Sequence, residues 1–171
     1  DKATGTNVLE KTFASNTIPA QCRLATIGPK ALAFYTDNTN PADIYVIDLD
    51  TGTLGSPGAA WSAPYTATTT WDGEGYDVSS LRDFGAANTA VMLAWSNVTI
   101  TTQRFTSAAA PTHTTTHITG GATAHLACGG TTDNVAYIAW SIVGNTTDVF
   151  VMPLSPATLI QSGNDGAAAS Y

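Results

Sequence analysis

Positive charge is the scarcest resource in this chain. Of 171 residues only six are Lys or Arg, all at or before Arg104, against thirteen Asp and Glu, for a formal net charge of −7. Neutralising a phosphate backbone takes a basic patch, so nucleic acid is excluded as a partner, and an anionic membrane surface with it. No apolar run reaches the length of about eighteen residues that marks a spanning helix. No signal-peptide pattern is visible, and a start at Asp1 is compatible with processing. Two cysteines are too few for a disulfide framework. Their surroundings, QCRLATI at Cys22 and HLACGG at Cys128, read as strand, so free buried thiols are expected.

Catalytic signatures are missing as well. There is no G-x-S-x-G elbow, and Gly120-Gly121 and Gly129-Gly130 lack the Lys or the further glycines of a phosphate cradle. Charged residues of any kind make up only 11%, where about a quarter is usual for soluble domains.

What the chain has instead is Thr and Ala, together roughly a third of all residues. β-Branched and small residues at that level favour strands, and no stretch keeps the i, i+3, i+4, i+7 spacing of an amphipathic helix. The fold expected is all-β. Asn134–Leu154 reads as two apolar strands joined by a polar turn, and the chain states that hairpin twice more. ALAFYT at Ala31–Thr36, VMLAWS at Val91–Ser96 and AYIAWS at Ala136–Ser141 align on Phe34, Trp95 and Trp140. Partner strands follow: DIYVIDL at Asp43–Leu49 and DVFVMPL at Asp148–Leu154 match at their apolar places, while TITTQRF at Thr99–Phe105 keeps Ile100 and Phe105. Cys22 and Cys128 precede their aligned aromatics by the same number of places. Units of roughly fifty residues suit a four-stranded supersecondary repeat stacked on its neighbours.

Strand–turn–strand units of the AWSN…ITTQRF kind resemble the blades of bacterial and viral β-propeller repeat proteins. The resemblance spans about three blades, from Gln21 to Gly163, without a sialidase-type Asp box. It implies a single domain over residues 1–171 with repeats at about 21–60, 77–119 and 122–163, and an irregular insertion at 54–77. Propellers close with about four to eight blades, so partner chains complete the assembly or the repeats pack as a β-sandwich or β-trefoil. Val135–Ser141 is apolar on both faces and is expected to be covered on both.

Candidate chemistry concentrates in the insertion. Trp61, Tyr65, Trp71 and Tyr76 flank a Gly- and Pro-rich stretch with Asp72 beside them, and sugars stack their C–H faces on such rings while carboxylates fix the hydroxyls. The competing reading is an aromatic loop that covers the end of the core. Asp72, Glu74 and Asp77 in DGEGYD offer hard oxygens to Ca²⁺, without EF-hand spacing, against the reading of a solvated loop. No other cofactor is indicated. His113 and His117 share a strand face about 13 Å apart, too far for one ion. Asn97-Val98-Thr99 and Asn145-Thr146-Thr147 are glycosylation sequons in hairpin turns.

The expectation is therefore a non-enzymatic structural or adhesive protein of an extracellular or virion-surface assembly, acting as a homo-oligomer or within a larger particle. A carbohydrate-binding module and a propeller-type glycoside hydrolase are the alternatives. A glycosidase needs two carboxylates within about 5–10 Å, and no sequence spacing nominates the pair.

Overall fold

The structure is a computed structural model that describes residues 19–28, 30–37, 43–49, 65–71, 75–82, 88–117, 119–130, 134–145, 147–161 and 169–170. These residues form strands and no helix. Thr6–Ala14, whose sequence TNVLEKTFA reads as a strand with Val8, Leu9 and Phe13 partly buried, lies outside them.

The strands make three antiparallel four-stranded sheets, each a meander in chain order. Sheet A holds β1 (Pro19–Ile27), β2 (Lys30–Asp37), β3 (Ile44–Leu49) and β4 (Tyr65–Thr68). Sheet B holds β5 (Tyr76–Arg82), β6 (Asn88–Asn97), β7 (Thr99–Phe105) and β8 (His113–His117). Sheet C holds β9 (Thr123–Gly130), β10 (Ala136–Ile142), β11 (Phe150–Leu154) and β12 (Ala169–Ser170). All three repeated hairpins are thus antiparallel pairs, with Phe34 opposite Val46, Trp95 opposite Thr101 and Trp140 opposite Phe150.

Turn chemistry sets where the strands stop. Gly28, at φ +53°, turns β1 into β2 in the left-handed region that glycine enters without cost. Between β10 and β11, Gly144 at φ +82° precedes Asn145, whose Oδ1 accepts the backbone N–H groups of Thr147 and Asp148 at 3.1 and 3.2 Å. That is an Asx-type turn, and it occupies the side chain of one of the two sequons. The β6–β7 tip has no glycine. Val98 takes φ +64° there while 70% exposed.

The sheets stack in the order A, B, C, and strand alternation in β6 divides the core. Val91, Leu93 and Trp95 point to sheet A, where they join Leu32, Phe34, Ile44, Val46, Trp71, Tyr76 and Phe105 in one buried cluster. Ala90, Met92 and Ala94 point the other way and pack with Ile138, Trp140, Met152, Leu154 and Leu159 in a second. A central strand buried on both sides has to be apolar at successive positions, and AVMLAW is. The ring pairs at these interfaces include Phe34–Phe105, edge to face at 5.5 Å, and Trp140–Phe150, stacked at 5.6 Å.

One element of the repeat differs from its sequence alignment. Leu93 and Trp95 face the preceding sheet, and so do Ile138 and Trp140. Leu32 and Phe34 face the following one. The first copy is therefore offset by one residue from the other two, which in a strand reverses every side chain. β10 also departs from expectation. Ile138 and Trp140 are buried, but the opposite face carries Tyr137 at 37% exposure and a half-buried Ala139, so this face is only partly covered.

Candidate functional site

The first strands of the three sheets, β1, β5 and β9, run side by side and parallel, each a similar distance along. The Thr26 backbone N–H donates to Ser80 Oγ at 2.9 Å, and Ser80 Oγ donates to the Thr26 carbonyl at 2.8 Å. The Gly28 N–H reaches the Asn88 carbonyl at 2.7 Å, and Asn88 Nδ2 donates to Thr26 Oγ1 at 2.8 Å. On the other side of β5, the N–H groups of Cys128 and Gly130 donate to Asp77 Oδ2 and Ser79 Oγ, both at 2.9 Å. Polar side chains of β5 thus take the place of a backbone ladder between sheets. Gly130 is required by the closeness of that approach, since a Cβ there would collide with the Ser80 carbonyl.

At the C-terminal ends of these strands lies an open groove of about 680 Å³. Thr26, Ser79, Ser80, Arg82 and Asn88 line it over the apolar side chains of Ala25 and Val78. Arg82 Nε donates to Asn88 Oδ1 at 3.0 Å, which orients the guanidinium along the rim. The lining offers hydroxyls, an amide and one cation, and among its described residues no carboxylate, thiol or imidazole. Such a set can hold a polar or anionic molecule by hydrogen bonds.

The sequence-nominated residues fall elsewhere. Trp71 and Tyr76, 7% and 2% exposed, meet edge to face at 5.5 Å inside the core between sheets A and B. The Tyr76 hydroxyl donates to the Phe34 carbonyl at 3.3 Å. Burial pushes this phenol well above its ordinary range, with the Cys22 and Asp77 sites adding to the shift and Arg23, whose guanidinium lies 5.7 Å from the ring centroid, opposing it. Tyr65 starts β4 and is half-buried against the same cluster. Trp71 and Tyr76 thus place their rings in the core, with Tyr65 partly buried beside them. Trp61, Asp72 and Glu74 lie outside the described residues. Asp77, the third candidate Ca²⁺ ligand, is engaged with the Cys128 N–H and lies 3.8 Å from Arg23 Nε. Among the described residues no three His, Cys, Asp or Glu side chains gather as a metal site.

Both cysteines are free. Cys22 is exposed, contrary to the buried strand expected from QCRLATI, because it follows the irregularity in the β1–β2 register at Pro19/Cys22. Burial raises both thiols above the ordinary value. Arg23 offsets part of the rise at Cys22, and the Asp77 carboxylate adds to the larger one at Cys128. His113 is exposed on β8, whereas His117 is buried with Nε2 2.9 Å from Thr102 Oγ1.

Sequence reasoning missed the groove because its residues carry no local motif. They come from segments more than fifty positions apart, as the Thr26–Ser80 pair shows. The one available hint was the equal placement of Cys22 and Cys128, which marks their strands as counterparts. Comparison with protein-family models, with curated proteins and with solved structures finds no match for this chain.

Proposed function

We propose that the chain is a structural or adhesive β-repeat element of an extracellular or particle-surface assembly, its sheets acting as consecutive blades of a propeller-like stack that works with further subunits. The observation that carries this reading is the serial arrangement: parallel first strands in contact, a middle sheet covered on both faces, and an end sheet with an open face. Blades built this way form a rigid platform by adding like layers. Antibody labelling of intact cells or particles that make the protein should mark their surface. Labelling only after permeabilisation would overturn the reading.

The groove favours a second reading, binding of a polar saccharide between Arg82, Asn88 and the Thr26/Ser80 hydroxyls. A glycan array probed with the protein and with Arg82→Ala and Asn88→Ala tests it. Signal lost in both variants is expected, and signal indifferent to both places the sugar elsewhere. Release of reducing sugar from the bound glycan would favour the glycoside hydrolase alternative instead.

A further inference from the structure

Arg82 carries a positive charge that no carboxylate of the described residues answers. Arg23 and Lys30, by contrast, lie 3.8 and 3.5 Å from the carboxylates of Asp77 and Asp48. The polar partner of Arg82 is Asn88, whose Oδ1 accepts from Nε. The Arg82 side chain is exposed, and so is Leu24, at 64%, in the lining of the same groove. Both stand uncovered.

The fold nonetheless fixes where that charge sits. Between β5 and β6 the register slips at Leu81/Arg82: Leu81 stands opposite Ala90 and Arg82 opposite Asn88, which leaves Thr89 unopposed. A bulge of this kind re-aims the side chains beside it. Asn88 uses both ends of its amide, Oδ1 on Arg82 Nε at 3.0 Å and Nδ2 on Thr26 Oγ1 at 2.8 Å. Thr26 Oγ1 is in turn 3.1 Å from Ser80 Oγ, which is bound to the Thr26 backbone. Turning the amide over would set its N–H groups against the Arg82 Nε–H. The guanidinium is thus held by Nε, and among the described residues Nη1 and Nη2 have no partner.

That geometry selects a ligand. A guanidinium held by Nε offers its outer edge, two parallel N–H groups spaced to meet both oxygens of a carboxylate. One such cation balances a carboxylate, whereas a phosphate monoester carries a charge nearer −2. A peptide is a poor occupant, because extended peptides add to a free strand edge. Here the backbone is already bonded: Thr26 N–H and carbonyl to Ser80, Gly28 N–H to the Asn88 carbonyl, and Gly130 N–H to Ser79. A sugar needs no ladder, and Leu24 offers apolar surface to its C–H face. We infer that the groove binds an acidic saccharide, with the sugar's carboxylate on Nη1 and Nη2 of Arg82 and its ring laid toward Leu24. The inference rests on the saccharide reading above and names its class of ligand.

An array of glucuronate-, galacturonate- and nonulosonate-bearing glycans, each paired with its carboxyl-reduced form, tests it, with calorimetry on the best pair. The wild type should bind the acid about tenfold or more tightly than its reduced form, as a charge-assisted hydrogen bond implies. Arg82→Gln should abolish that preference, and Arg82→Lys, which keeps the charge without the fork, should retain only part of it. Asn88→Ala, which frees the guanidinium, should weaken the acid more than the reduced form. Arg82 is exposed, so circular dichroism of its variants should match the wild type. Equal binding of both forms, lost in Arg82→Ala, overturns the acidic ligand and leaves the saccharide reading standing. No glycan bound at all overturns both. An acid preference indifferent to Arg82→Gln overturns the inference, and so does a wild type that takes a carboxylate-ended peptide but no sugar.

Discussion

The backbone N–H of Cys128 donates to the Asp77 carboxylate at 2.9 Å, fastening sheet C to sheet B outside any strand ladder. A hydrogen bond to a charged acceptor is worth about 1.5–3 kcal/mol, less where water reaches it, and the Asp77 side chain is 27% exposed. Asp77→Ala should lower unfolding free energy by about 1–2 kcal/mol, and Asp77→Asn, which keeps an acceptor, by less. Arg23→Ala should change it by less than about 1 kcal/mol, because that ion pair is long and solvated. Urea titration of the three variants checks the order.

Gly129 and Gly130 are adjacent, and neither has a positive φ, yet they should respond oppositely to alanine. A Cβ at Gly130 runs into the Ser80 carbonyl, while one at Gly129 meets nothing within 4 Å. Gly130→Ala should cost about 2–3 kcal/mol by prising β9 from β5, as overpacking does. Gly129→Ala should stay within about 0.5 kcal/mol. Equal effects would mean that the two first strands are not in this close contact.

Trp71 sits in a stretch rich in glycine and proline, but it is a core residue. Trp71→Ala should cost about 3–5 kcal/mol, the same range as Trp140→Ala. A loss below about 1 kcal/mol, as for an exposed loop ring, would count against its place between sheets A and B.

His117 is held neutral by burial, its pKa lowered from the ordinary 6.5. The unfolded chain therefore takes up a proton near pH 6.5 that the folded chain refuses. Stability should be full above that pH and fall as pH drops from 6.5 toward the folded-state value. His117→Gln should flatten this part of the profile in urea midpoints measured between pH 8 and 5. A variant that keeps the wild-type slope assigns the effect to another group.

Val98 holds a strained backbone at a site where its side chain is largely exposed. A β-branched residue in the left-handed region costs about 1–2 kcal/mol, and Val98 is 70% exposed. Val98→Gly should raise the melting temperature, a rare case of glycine stabilising a fold. The same substitution leaves Asn97 and Thr99 of the sequon in place, so glycan occupancy in a glycosylating host is not altered by design.

The sequence made the hairpins readable because strand alternation and turn residues are local properties. It also marked two of the first strands, since QCRLATI and HLACGG, read as strand, fall in β1 and β9. What it hid was facing. Ala33-Phe34 and Ala94-Trp95 look alike, and only packing reveals that the first pair is offset by one residue. Trp71 and Tyr76 read as loop aromatics because Trp71 follows a strand, β4, of only four residues, and Tyr76 is the first residue of β5, at the edge of the glycine-rich stretch. Tyr137 read as buried because an apolar residue looks the same in sequence whether its face is covered or open. The groove was illegible for a different reason: hydroxyls and an amide acquire meaning only when distant strands bring them together.

Sheet B has apolar partners on both faces, and the other two sheets are joined through it. That makes its central strand the last part of the molecule able to open. Fraying from either end can expose a single layer at a time, whereas parting β6 from its neighbours requires both clusters to separate at once. Amide hydrogens of Val91–Trp95 should therefore exchange only through global unfolding, at a rate set by the stability of the whole domain. Those of β11 and β1 should exchange faster, through partial openings. The molecule is in that sense graded from the middle outward, each outer layer held by one apolar cluster and the middle one by two.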